Sequence, residues 1–175
     1  MRTLVAYGTK YGSTKEIAEK VAKVLRSTGN EADLYDVKDG NKPDLTRYDM
    51  VVIGSAIMMG RWTKPAERFV ATNEKELGSK KVAVFVCCGD AGNPDLISKA
   101  QKEYLDEFLA RYPSIRPVST GLFAGVINFP KYGLLVRTIM KSEVVKRGLS
   151  GADVSTVYDL RDWNAVETWA GSLVK

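Results

Sequence analysis

The sequence predicts a doubly wound α/β domain built on a five-stranded parallel sheet. Two patterns predict it. Short apolar runs alternate with helically spaced apolar stripes along most of the chain, and several runs are unbroken enough to be buried on both faces. A third feature agrees: a loop rich in glycine and hydroxyls joins the first strand to the first helix.

Each element can be read in turn. Thr3 to Tyr7 (Thr-Leu-Val-Ala-Tyr) suits a buried first strand. Ser13 or Thr14 then caps a helix running to about Thr28, with Ile17, Val21, Val24 and Leu25 on its inward stripe and Gly29-Asn30 as its stop. Glu31 to Val37 alternates, as an edge strand would. Tyr48 to Ser55 is the clearest strand, because Met50-Val51-Val52-Ile53 is unbroken. Pro65 opens a short helix through Ala66, Phe69 and Val70. Lys81 to Cys87 is the fourth strand. Pro94 starts a long helix that buries Leu96, Ala100, Tyr104, Leu105, Phe108 and Leu109. Val118 to Phe123 is the fifth strand, and a last helix from near Asp162 turns Trp163, Val166, Trp169 and Leu173 inward. Right-handed crossovers reduce the topologies for such a pattern to a few.

The stretch 124–155 stands outside this plan. It holds Phe129-Pro130-Lys131-Tyr132, then a helical segment from about Gly133 to Arg147. Leu135, Val136, Ile139 and Met140 share one face of that helix, and Arg137 and Lys141 share another. Lys131, Arg137, Lys141, Lys146 and Arg147 face Glu143 alone in this segment, and Asp153 leaves the whole stretch at +3. Most of the chain's net charge of +5 is therefore concentrated here.

Composition sets the outer limits. A chain of 175 residues without repeats or low-complexity linkers is expected to form one domain over 1–175. Hydrophobic residues make up 45% and charged residues 27%, which is the balance of a soluble globular chain and excludes disordered, collagenous and coiled-coil classes. The two cysteines, Cys87 and Cys88, are adjacent and cannot staple distant segments, so a reducing cytoplasm is the expected setting. The longest mostly apolar stretch, Met50 to Gly60, is well short of the ~20 residues of a spanning helix. There is no histidine, which excludes Ser-His-Asp and Cys-His catalysis and His-ligated zinc. No side chain is assigned as catalytic and no metal site is assigned. Redox or group-transfer chemistry in such a chain would fall to an organic cofactor. The basic balance points to an anionic partner or simply to solubility.

The chemistry-bearing segment is Gly8-Thr9-Lys10-Tyr11-Gly12-Ser13-Thr14. A helix start offers unpaired N–H groups and a positive dipole end, which suit a phosphate. Thr9, Ser13 and Thr14 add hydroxyl donors, and Gly12 lets backbone approach the ligand. Lys10 either neutralises the phosphate or points to solvent. The loop lacks the Gly-Lys-Ser/Thr ending of a Walker A motif, and it is not G-x-G-x-x-G. The plain alternative is a strand-to-helix turn with good caps.

Thr9-x-x-Gly12-x-Thr14 after an amino-terminal strand resembles the FMN-phosphate loop of flavodoxins. Gly54-Ser55-Ala56-Ile57-Met58-Met59-Gly60-Arg61-Trp62 is similar to their first isoalloxazine loop, and Cys88-Gly89-Asp90-Ala91-Gly92-Asn93 to their second. The resemblance implies a flavodoxin-like sheet of order 2-1-3-4-5, with an extra segment after strand 5. Ligands of open sheets lie at the carboxyl ends of the strands, a rule that flavodoxins themselves exemplify. The implied FMN contacts are Thr9, Lys10, Tyr11, Gly12, Ser13 and Thr14 in the first loop, Ser55, Ala56, Ile57, Met58, Met59 and Gly60 in the second, and Cys88, Gly89, Asp90 and Asn93 in the third. The backbone at Met59-Gly60 is the expected neighbour of flavin N5. Cys87 is expected in the core, and Cys88 at the flavin ring. Two features depart from flavodoxins. The Cys88–Asn93 loop carries no aromatic, leaving Met58 and Met59 to cover the ring, and the chain is basic where electron carriers are acidic.

Both departures fit the menaquinone-dependent protoporphyrinogen oxidase family, to which the chain is similar in its strand ending Val52-Ile53-Gly54-Ser55, in Gly60, and in Phe129-Pro130-Lys131-Tyr132 followed by Ile139-Met140-Lys141. Its ending, with Val157-Tyr158 and Asp162-Trp163 before the last helix, is similar too. That likeness implies an FMN-dependent protoporphyrinogen dehydrogenase that passes electrons to a quinone. The alternatives are a flavodoxin-type electron carrier serving a redox protein, or a flavin-free interaction module. The partners implied are a quinone or porphyrinogen, or a redox protein, and no nucleic acid. The stretch 124–155 would contact quinone, porphyrin or the inner face of a membrane, or else only cover the sheet.

Overall fold

Successive side chains of a strand point to opposite faces, so an unbroken apolar run needs cover on both sides. The computed structural model, which describes residues 1–146 and 153–174, supplies that cover. Strands β1 (Arg2–Gly8), β2 (Glu31–Asp36), β3 (Met50–Met58), β5 (Lys81–Cys88) and β6 (Ser119–Ala124) form a parallel sheet of order β2-β1-β3-β5-β6. Counting only these five, the order is 2-1-3-4-5, as expected. Strand β4 (Arg61–Trp62) pairs antiparallel with the end of β3 and forms no part of that row.

One face of the sheet presents Leu4, Ala6, Val51, Ile53, Val82, Val84, Val86 and Cys88. It is covered by α2 (Lys64–Leu77) and by a helix built from α3 (Ile97–Gln101) and α4 (Glu107–Ala110). The other presents Val5, Tyr7, Met50, Val52, Ala83, Phe85, Cys87 and Phe123 beneath α1 (Ser13–Ser27) and α6 (Trp163–Ser172). Gly54 leaves the space that the Phe85 ring fills: a Cβ there would lie 2.1 Å from that ring.

Several boundaries differ from the sequence reading. β3 continues three residues past Ser55, because β4 pairs with it at Ile57 and Met58. α2 is a full fourteen residues rather than a short helix. Pro94 opens a 3₁₀ turn (Pro94–Leu96), and the following helix carries a π turn, Lys102–Asp106, at its middle. The cause of that turn is visible. The Trp62 indole N–H donates to the Tyr104 carbonyl at 2.7 Å, and a side chain inserted into the ladder widens it.

The extra segment builds a small third unit. Strands β7 (Val126–Asn128) and β8 (Val157–Asp159) pair antiparallel, and α5 (Leu134–Lys146) lies between them in sequence. Ile127, Phe129, Tyr132 and Val144 form its core, with Tyr11, Val136, Met140 and Leu160 packed around it. The expected shared face of α5 does not hold: Leu135 is exposed, while Val136 and Met140 turn inward. Arg137 and Lys141, four apart in α5, do share a side of it but differ in exposure. Arg137 is half-buried and donates to the Tyr132 carbonyl at 3.5 Å, whereas Lys141 is exposed. Arg147 and the side chains of Ile139, Glu143 and Lys146 lie outside the described residues.

Candidate functional site

The carboxyl ends of β1, β3 and β5 carry the three loops that the sequence singles out. At the end of β1, Thr9 is buried and its hydroxyl accepts from the Gly12 N–H at 3.0 Å. Gly12 takes φ +104°, with nothing within 4 Å of where a Cβ would stand, so the loop surface there is open to a ligand. Gly12 itself is the helix cap, in place of Ser13 or Thr14, and no side chain caps α1. A side-chain cap would have occupied the first-turn N–H groups; its absence leaves them open. The Thr14 hydroxyl is fully buried and makes no hydrogen bond of normal geometry, with the Cys87 thiol as a weak neighbour. An open helix start beside an orphaned hydroxyl is what a phosphate group would complete. Lys10 is exposed, its ammonium over the Tyr11 ring at 5.4 Å.

The second loop is shorter than expected. Ser55, Ala56, Ile57 and Met58 all lie in β3. Ser55 is fully buried and tied to the start of α2: its hydroxyl donates to the Ala56 carbonyl at 2.9 Å, accepts from the Thr63 N–H at 3.1 Å, and stands 3.2 Å from the Thr63 hydroxyl. Only Met59 and Gly60 form the turn. Both have positive φ, 51° and 74°, as a two-residue type I′ hairpin requires. Met59 is 94% exposed at its tip, an apolar side chain in a conformation that only glycine adopts freely. Trp62 is not available to a ligand: its ring stacks on Phe108 at 3.7 Å between centroids and is buried.

The third loop also begins one residue later. Cys88 belongs to β5, and its thiol faces the core rather than a ligand; burial pushes that thiol up to about 12. Cys87, on the opposite face, is the thiol nearer the first loop, 3.6 Å from the Ser13 hydroxyl, and burial raises it as well. Gly89 leads into a 3₁₀ turn at Asp90–Gly92. The Asp90 carboxylate accepts from the Tyr104 hydroxyl at 2.9 Å, and burial together with this bond holds that phenol well above its usual range. Asn93 accepts from the Asp95 N–H at 3.0 Å and so caps the next turn.

Four residues outside the three predicted loops lie against them. Lys38, just past the edge strand β2, donates its ammonium to the Thr9 carbonyl. Tyr132 sets its ring edge-on to Tyr11, with centroids 4.8 Å apart, which brings the extra segment against the first loop. Leu160 lies against Gly92, so the same segment also touches the third loop. Arg161 is almost wholly buried between Glu16 of α1 and Asp159 of β8. The aromatic-Pro-Lys-Tyr motif did mark Tyr132's segment. Lys38 and Arg161 lie in ordinary polar stretches, and no local pattern marks them.

A doubly wound sheet with an open, hydroxyl-lined helix start after its first strand is the architecture of a mononucleotide-binding domain. Comparison with known proteins makes the class specific. Residues 4–149 match the flavodoxin domain, and the chain belongs to that family. It is 28% identical to the protoporphyrinogen IX dehydrogenase [quinone] of Escherichia coli K12, over 97% of this chain and 93% of that protein. It is 30% identical to the Leishmania major protein of the same name, over 97% of this chain and 73% of that one. The fold is shared with the two-electron reduced flavodoxin of Megasphaera elsdenii, with a TM-score of 0.56 at 18% identity over 69% of this chain and 84% of that one.

Proposed function

We propose that this chain is an FMN-dependent protoporphyrinogen dehydrogenase that delivers electrons to a quinone. The observation that carries the proposal is similarity along nearly the whole chain, extra segment included, to proteins bearing that name. The open start of α1 and the orphaned Thr14 hydroxyl support FMN through its phosphate. Bound FMN would supply the redox chemistry, accepting electrons from the porphyrinogen and passing them to the quinone. The chain's own residues do the rest. The loop 9–14 holds the phosphate, the Met59-Gly60 turn presents backbone and a thioether toward the ring, and the loop from Gly89 to Asn93 closes the other side. The extra segment, seated on Tyr11 and Gly92, borders that crevice and is the surface offered to porphyrinogen or quinone.

The same reading includes peripheral contact with an anionic membrane. No helix among the described residues is long and apolar enough to cross one. Leu134 and Leu135 open α5 at 84% and 76% exposure, near the exposed Lys131 and Lys141. Apolar side chains with flanking lysines suit a bilayer surface with acidic headgroups. Cosedimentation with anionic vesicles tests this: the quadruple variant Lys131→Gln, Leu134→Ser, Leu135→Ser, Lys141→Gln is expected to stay in the supernatant. Equal pelleting of variant and wild type would remove the membrane from the account.

A further inference from the structure

We propose that Arg161 is a positioning residue for the FMN phosphate, acting by keeping the Glu16 carboxylate from competing with that phosphate at the start of α1. This rests on the FMN reading above. Glu16 sits in the first turn of α1, and its N–H donates to the Gly12 carbonyl at 3.2 Å. A carboxylate there is favoured by the helix dipole while the site holds no anion. Next to a phosphate of nearly two negative charges it becomes a like-charge competitor.

Arg161 answers this competition. Its Nη1 donates to Glu16 Oε2 at 2.6 Å. Its Nε and Nη2 donate to the two oxygens of Asp159 at 2.8 and 2.6 Å. The guanidinium lies 4.5 Å from the centroid of the Trp163 ring, and its side chain is only 7% exposed. A guanidinium fixed by a bidentate carboxylate and an aromatic face has little freedom to leave. The Glu16 carboxylate is thereby paired and held toward the end of β8, and the single guanidinium halves the negative charge of the two carboxylates. The same contact ties the return strand of the extra segment to the phosphate helix.

The test compares binding of FMN with binding of riboflavin, which has the ring but no phosphate. Fluorescence titration of the apoprotein gives the ratio of the two affinities. Arg161→Met frees two carboxylates beside the site and is expected to lower the ratio about 10-fold, with riboflavin affinity little changed. Glu16→Gln, at a side chain that is half exposed, removes the competing charge and leaves Arg161 on Asp159; it is expected to raise the ratio about 3-fold. The double variant is expected to return toward the wild-type ratio. A purely structural role for Arg161 would lower both affinities together and give Glu16→Gln no gain. If Arg161→Met does not fold, the Glu16→Gln arm decides alone, because its predicted sign is opposite. Wild type that binds neither ligand would overturn the FMN reading and this inference with it. Wild type that binds FMN while every folded variant keeps the wild-type ratio overturns this inference alone.

Discussion

A buried hydroxyl without a normal hydrogen bond is a cost to the folded chain, and Thr14 carries one at the first turn of α1. Thr14→Val keeps the shape and removes the orphan. It is expected to stabilise the apoprotein by roughly 1 kcal/mol and to weaken FMN binding about 10-fold. Thermal melting and flavin titration measure the two effects, and a variant that binds FMN as well as wild type would remove Thr14 from the site. Cys88 gives a second residue-scale outcome. Its thiol is raised from about 9 to about 12 by burial, so the unfolded chain loses that proton first as pH rises. The stability it contributes is whole below pH 9 and lost as pH climbs toward 12. Chemical unfolding at pH 8 and pH 10.5 should show a smaller alkaline loss in Cys88→Val than in wild type. Part of the slope remains, because Tyr104 is raised in the same direction. At this scale the sequence was partly legible. Thr9, Gly12 and Thr14 announce themselves by type and spacing, whereas Arg161 acquires its partners only when β8 folds back onto α1, a contact 145 residues apart in the chain.

Among elements, the β3–β4 hairpin extends beyond what its sequence suggests. Gly54-Ser55 looks like the end of a strand, since glycine and serine favour turns. The strand continues because Gly54 makes room for Phe85 and Ser55 spends its hydroxyl on Thr63. The true turn is Met59-Gly60, where Met59 bears a positive φ without being glycine. Gly60→Ala places a Cβ at φ +74° and is expected to cost about 1–2 kcal/mol in urea unfolding, although no neighbour obstructs it. The π turn is likewise invisible to periodicity, because its cause, Trp62, lies forty-two residues upstream. Trp62→Phe keeps the stack on Phe108 and leaves the Tyr104 carbonyl without its donor, at an expected cost of about 1–2 kcal/mol. Unchanged stability would mean that water replaces the indole.

The molecule as a whole follows from a simple division. Two apolar layers on either side of one sheet fix the fold, and this much is legible from unbroken runs such as Met50-Val51-Val52-Ile53. The third cluster, under Phe129 and Tyr132, was legible only as a departure from that plan. Its packing on Tyr11 and Leu160's contact with Gly92 set it against the first and third loops rather than on the sheet edge alone. The proposed activity is oxidation of a porphyrinogen coupled to reduction of a quinone at a flavin held by these loops. The direct measurement is anaerobic: FMN-loaded protein is mixed with protoporphyrinogen, with and without a menaquinone analogue, and porphyrin fluorescence is followed against the spontaneous rate. Acceleration that depends on the quinone is expected. No acceleration from protein whose flavin is bound and reducible would contradict it and leave an electron carrier of flavodoxin type.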